Sequence, residues 1–190
     1  NSSIMATFKI NGKNFATQSG TGEPTVSSNV VFPAGNIIKV EQATLTTASS
    51  VTLNTTFADI SGLSKAITPS SQSNQILVLV QVHVGRQNGS DRSYPKIRLV
   101  RGSTNIAIST ESDSRQLVTS MWDVASADAN STGVLSMNWM DSPSSDTEIT
   151  YKVQIFGSQN RTFYVNQTGS DEGTAGGNSV STLTLMEIAR

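Results

Sequence analysis

Hydrophobic and polar positions alternate along much of this chain, most clearly in QILVLVQVHVGR at 75–86. Ile76, Val78, Val80, Val82 and Val84 line one face without a break. The other face reads Leu77, Leu79, Gln81, His83: apolar first, polar later. Alternation at period 2 predicts β-strands. Further runs lie at 51–57, 96–100, 105–109, 133–141, 148–156, 162–167 and 180–188, with a weaker one at 115–122. In 148–156, Ile149, Tyr151, Val153 and Ile155 face one way and Thr150, Lys152 and Gln154 the other, as in a strand with one dry side. Turn formers separate the runs: Pro69 with Ser70 and Ser71, Asn88–Gly89, Arg101–Gly102, Ser142–Pro143, and Gly173 through Asn178. No window carries a 3.6-residue amphipathic stripe. Short strands at regular spacing predict an all-β fold, an antiparallel β-sandwich that is jelly-roll-like, over 40–190. Val80 and Val153 belong to its expected core.

Residues 1–39 read differently. FKINGKNFATQSGTGEPTVSSNVVFPAGNIIKV holds short apolar pairs broken by Gly, Pro and Ser. Such a segment buries too little apolar surface to fold alone. The expectation is an extended lead-in, docked on the sandwich or on a neighbouring chain, with a boundary near residue 40.

Composition narrows the function. A chain of 190 residues supports one substantial core. Only 14% of residues are charged and the net charge is -1, so no basic surplus exists to neutralise a phosphate backbone; nucleic acid is not an expected partner. No run approaches the roughly 18 apolar residues of a membrane span, so no membrane insertion is expected. With no cysteine, disulfides, thiol nucleophiles and cysteine zinc sites are excluded. Ser and Thr make up about a quarter of the chain. Their hydroxyls compete for backbone hydrogen bonds and disfavour helices.

Candidate chemistry is sparse. His83, the one histidine, could serve as a general base near neutral pH. Its neighbours Gln81 to Gln87 offer no nucleophile or carboxylate, so a polar role at a strand flank fits better. Paired carboxylates could hydrolyse a glycan if they sit roughly 5–10 Å apart in a cleft. The candidates are Glu111 with Asp113, and Asp141 with Asp146 or Glu148. All lie by turn formers, where solvated carboxylates are ordinary, and Asp141-Ser142-Pro143 reads as a turn opener. Asp171–Glu172 and Glu111-Ser112-Asp113 lack the oxygen-ligand ladder of a calcium loop. No catalytic residue, metal or cofactor is therefore expected. Trp139 alternates with Leu135 and Met137 and reads as core. Trp122, with Asp123 nearby, is either a rim core residue or a platform for a sugar ring.

The blocks FADISGLSKAITPSSQSNQILVLVQV, IRLVRGSTNIAI, MDSPSSDTEITYKVQI, FYVNQTGSDE and STLTLMEIA, running from about residue 57 to 190, resemble a recurrent domain of phage tail-fibre proteins. They are similar above all to those of marine phages infecting cyanobacteria and related hosts. The N-terminal segment resembles the lead-in of such fibres. None of the blocks is a catalytic motif. The resemblance implies a virion component, a homotrimer that meets other virion proteins and a host surface glycan. Leu77, Leu79 and His83 would then sit at the oligomer interface, His83 where it opens to water; the alternative puts Leu77 and Leu79 under a loop. If each predicted strand crosses the sandwich, 86–94, 110–114, 142–147 and 169–179 share one end with the start of the first strand near residue 43. The other end would hold 69–74, 101–104, 123–132, 157–161 and Arg190. That second end would be distal, with Trp122, Asp123, Asp128, Asn130, Asn160 and Arg161 as ligand-binding residues. The expected function is a non-enzymatic tail-fibre subunit or fibre domain for glycan attachment. A capsid-decorating or collar appendage protein without a receptor role is the alternative, and a polysaccharide-degrading tail enzyme ranks third.

Overall fold

A computed structural model describes residues 5–27, 30–53, 56–86, 94–111, 113–122, 130–157 and 161–190. Their strands are β1 (Met5–Ile10), β2 (Lys13–Ser19), β3 (Thr25–Val26), β4 (Ile37–Leu45), β5 (Ser49–Leu53), β6 (Ala58–Ile67), β7 (Gln75–Arg86), β8 (Lys96–Arg101), β9 (Thr104–Ile106), β10 (Ser120–Met121), β11 (Thr132–Asp141), β12 (Ile149–Phe156), β13 (Arg161–Val165) and β14 (Ser181–Ile188). All named pairings are antiparallel, and no helix occurs among the described residues. The fold is the antiparallel all-β sandwich that the alternation predicts.

In the larger sheet β7 is central. One of its edges pairs with β14 over Gln75–Gln81 and then with β13 over Val84–Arg86; its other edge pairs with β11. β4 lies outside β14 and β5 outside β13. The facing sheet runs β6–β12–β8, and the far edge of β8 carries β9 and β10. With β5, β9 and β13 set aside, eight strands of the sandwich nest as four pairs: β4 with β14, β6 with β12, β7 with β11, β8 with β10. First pairs with last, second with seventh, and so inward, which is the nesting of a jelly roll.

The pairings also fix the two ends. Ile188 pairs with both Ile37 and Gln75, Asp141 with Ile76, and Ile149 with Ile67. The start of β4, the 68–74 turn, the Gly102 turn, the 142–148 connection and Arg190 thus share one end. Trp122, the end of β12 and the 166–180 connection share the other. As expected, 69–74, 101–104 and Arg190 share an end. The start of β4, expected opposite them, lies there too, because β4 and β6 make two crossings before the 68–74 turn. The 142–147 connection also joins them. The cause is β9 and β10. Both run antiparallel to β8 on the same edge, one against Leu99–Arg101 and one against Lys96–Ile97. They are two pieces of one crossing, interrupted at 107–119, where Ala107 turns to φ 55°. Counting them as two crossings moves the 142–147 connection to the wrong end; counting the short β13, which runs only beside Val84–Arg86, as a full crossing then returns 169–179 and Arg190 to their expected ends. Trp122 still lies opposite the start of β4, now with 169–179 beside it.

The core lies between the sheets. Ile76, Val78, Val80, Val82 and Val84 are all buried, with Leu135, Leu183 and Leu185 from the same sheet and Leu63, Ile97, Leu99, Tyr151, Val153 and Ile155 facing them. Trp139 departs from expectation. Opposite Val78 it faces inward, yet it stays 40% exposed because β11 is an edge strand and the ring reaches the rim.

The lead-in is not simply extended. Asn11 (φ 51°) and Gly12 (φ 80°) form a two-residue hairpin turn that folds β1 onto β2, and β3 adds a third strand. Asn-Gly is the favoured pair for such a turn, since both positions need positive φ. Phe8 and Phe15 meet edge to face at 5.7 Å but remain exposed. After it, the chain docks: Gly35 N donates to Ala189 O and Ala189 N to Asn36 O, both at 2.9 Å. β4 then begins at Ile37, slightly before the expected boundary.

Truncating Val80 or Val153 to alanine removes buried methyl groups from a closed core. Each variant is expected to lose about 1–3 kcal/mol in urea unfolding. A loss below about 0.5 kcal/mol at both would show that the strand register is inverted.

Candidate functional site

The outer face of the larger sheet carries the interface candidates. Paired residues share a face of a sheet, so the register places Val40, Met186, Leu77 and Met140 in one row across four strands. The next row is Gln42, Thr184, Leu79 and Asn138, and the third is Thr44, Thr182, Gln81 and Ser136. The face grades from apolar to polar along β7. Leu77 and Leu79 are half-buried, while Val40 and Met140 at the row's ends are 54% and 43% exposed. His83 follows at the polar end. Its ring Nε2 lies 2.9 Å from Gln81 Nε2, and no carboxylate or nucleophile bonds to it among the described residues. Its backbone does the structural work: N–H donates to Ser181 Oγ and the carbonyl accepts from Asn166 N, both at 3.0 Å.

Those bonds mark the seam where the edge of β7 passes from β13 to β14. Asn166, in a left-handed conformation (φ 64°) and fully buried, closes the seam. Its Nδ2 donates to Leu45 O at 2.7 Å, its Oδ1 accepts from Ser181 Oγ, and its carbonyl accepts from Ser179 N. Between Asn166 and Ser181 the chain leaves the sheet and returns. It passes so close over Gly85 that a Cβ there would meet Gln167 O at 2.2 Å. The excursion is stapled by a Gln167–Asn178 bridge and by Thr168, whose Oγ1 donates to Ser170 O and accepts from Gly177 N. A cavity of about 340 Å³ opens between it and Tyr164, with Gln167, Asp171 and Asn178 on its walls.

Of the six ligand-binding candidates, Asp123, Asp128 and Asn160 lie outside the described residues. Arg161 opens β13, pairing with Leu53. Asn130 buttresses the excursion: its Oδ1 accepts from Ser170 Oγ (2.6 Å) and its Nδ2 donates to Glu172 Oε2 (2.9 Å). Trp122 is half-buried against the core, its indole lying on Gly133, where a Cβ would meet ring carbons at 2.4 Å. One face of the ring is therefore spent on packing. The sequence missed Tyr164, Gln167 and Asn178, although FYVNQTGSDE had signalled a strand leaving into a turn.

Of the carboxylate candidates, Glu111 and Asp113 border a small pocket of about 160 Å³ that Arg115 also lines. Asp141 is buried rather than a solvated turn opener: Arg101 Nη1 donates to both its oxygens at 2.9 Å and Tyr151 Oη donates to Oδ2 at 2.6 Å. Asp146 accepts from Gln72, and Asp113 is held by Arg115. Among the described residues no three potential ligands cluster to hold a metal ion. A second buried carboxylate, Glu187, also flanks Ile76 and fixes the 68–74 turn. Its Oε1 accepts from Ser70 N (2.6 Å), Ser70 Oγ (2.8 Å) and Asn74 Nδ2 (2.7 Å).

No family model and no curated protein matches the chain. Among solved structures it is similar to chains in those of infectious bursal disease virus. For the Gt strain the TM-score is 0.37 at 13% identity, covering 98% of this chain and 43% of that one. For the Gx strain it is 0.34 at 12%, covering 98% and 47%. The chain thus spans less than half the length of either.

Burial, and then the hydrogen bond to Asp141, push the Tyr151 hydroxyl far above the ordinary tyrosine range. The contribution to stability is complete below the unfolded-state value near 10 and is lost as pH rises beyond it, because the unfolded chain then releases a proton that the folded one keeps. Stability should fall from about pH 10 upward. In Tyr151→Phe that slope should flatten, with a cost of about 1–3 kcal/mol at pH 7 for the lost charged hydrogen bond, both read by urea unfolding across pH. An unchanged slope would mean that Tyr151 does not carry it.

Proposed function

We propose that this chain is a non-enzymatic structural protein of a virion, a tail-fibre subunit or fibre domain that attaches the particle to a bacterial surface glycan. One observation carries the reading. The larger sheet has its own core on one face and, on the other, an apolar row from Val40 to Met140 with Leu79 beside it. A sheet dry on both sides at one end suits packing against further copies of itself, and contiguous exposed apolar surface is uncommon on a monomer. Closed cyclic contacts around an axis satisfy three such faces at once. The resemblance of five blocks to tail-fibre domains supports the same assembly and a position on a tail fibre. The engagement of Asp141 by Arg101 and Tyr151 supports a non-enzymatic role over glycan hydrolysis.

In this trimer Leu77 and Leu79 are covered by a neighbour, and Gln81 and His83 lie where the interface meets water. Sedimentation at micromolar concentration should give three times 20.1 kDa. Leu79→Asp should dissociate the assembly into folded monomers, because an unpaired carboxylate in a dry interface is costly. A monodisperse wild-type monomer refutes the assembly. Gold-labelled antibody against the chain should decorate tail-attached fibres on intact particles. Label over the head lattice instead would establish the decorating role and end the attachment reading.

A further inference from the structure

We infer that the cavity beneath the 166–180 excursion is a binding site for a single neutral sugar residue, the contact point of the glycan attachment proposed above, on which this inference rests. Its volume, about 340 Å³, falls at the small end of ligand pockets. Its lining selects the ligand. Tyr164 supplies an aromatic ring, Gln167 and Asn178 supply planar amides, and Asp171 a carboxylate acceptor. A ring face with donors and acceptors beside it matches a pyranose, which presents C–H groups on one face and hydroxyls around its rim. Among the described residues no Lys or Arg lines the cavity, which disfavours a phosphate or other anion, and its polar walls do not suit an apolar ligand.

The hydrogen-bonding capacity divides in a telling way. Thr168, Ser170 and Asn130 spend theirs within the protein and hold the walls in place. The side chains of Asp171, Gln167 and Asn178 make no hydrogen bond among the described residues, so theirs is available to an occupant. Four glycines in the lining, Gly169, Gly173, Gly176 and Gly177, leave backbone exposed to the cavity. Walls fixed before binding lower the ordering cost of a small ligand. Position agrees as well. Tyr164 pairs with Gly85, six residues along β7 from Leu79 and so about 20 Å from it. Covering the apolar row therefore leaves the cavity open, at the end opposite the start of β4.

The test uses the full chain on an array of bacterial monosaccharides and surface polysaccharides, with sedimentation and thermal unfolding as checks on folding. Tyr164→Ala removes the ring. Gly177→Leu fills the cavity instead: a Cβ at Gly177 meets no atom within 4 Å, and its φ is not in the left-handed region. Both variants should fold and assemble as wild type does and bind the retained glycans at least tenfold more weakly. If both bind like wild type, the cavity is not the site, while attachment elsewhere at this end stands. If wild type binds nothing on the array, this inference and the glycan reading fall together.

Discussion

The hydrogen-bonding demand of β7 organises this molecule. A strand of 12 residues in mid-sheet must have both edges paired, since an unpaired buried N–H or C=O costs about as much as a lost hydrogen bond. β11 meets that demand along one edge in a single pass. No single strand does so along the other: β14 covers the first part and β13 the last. The handover falls at Val82 and His83, and the protein bridges it with one side chain and one backbone N–H. Ser181 Oγ accepts the His83 N–H, and Asn166 supplies the N–H for its carbonyl. Asn166 can do so because its short amide tolerates φ 64° and reaches Leu45 O. The excursion, its cavity and the close approach to Gly85 all follow from that seam.

What the sequence revealed follows from the same physics. Where a strand has one dry face, period 2 is enforced by burial, and β7, β11, β12 and β14 lie within a residue or two of their expected limits. β6 escapes because its register against β12 shifts, and Gly62 takes φ 89° there. Its buried residues Ile60, Leu63 and Ile67 then fall at spacings of three and four, which is no strand pattern. β9 and β10 escape for another reason: one crossing is split by an insertion, and alternation cannot tell a split strand from two. The hairpin of β1 and β2 was legible, since Asn11–Gly12 carries it. Few apolar residues around that turn mark the strands on either side.

Site residues are harder to read because their partners are remote. Asp141 beside Ser142 and Pro143 has every local mark of a solvated turn. It is buried because Arg101 and Tyr151 come to it, and Arg101 lies 40 residues away. Glu187 is similar: inside a strand rich in Leu and Thr its carboxylate looks misplaced until Ser70 and Asn74 are brought over it. The two flank Ile76 on neighbouring strands, about 10 Å apart by strand spacing. Removing a partner from a buried carboxylate costs more than the contact itself was worth. These pairs therefore hold the 68–74 turn and the Arg101 end of β8 in place, and they oppose any slip of β7 against its neighbours. The sequence shows the carboxylates; only the fold shows their partners, a guanidinium and a phenol at Asp141 and uncharged donors to one oxygen of Glu187.

The grading of β7's outer face joins architecture to function. Its inner face is uniformly apolar because the core is continuous from end to end. Its outer face changes from leucine to glutamine and histidine over a few residues, and neighbouring strands change with it: Val40 and Met186 precede Gln42 and Thr184. A strand needing only to be soluble would keep that face polar throughout; one buried in a single chain would keep it apolar. A gradient shared across four strands fits an interface that closes at the end where the lead-in enters and loosens toward the other. The seam at His83 lies on the loose side, so an excursion there costs the interface nothing. The long excursion is placed where the outer face is already polar, and the polar cavity it forms stands clear of the apolar row proposed for assembly.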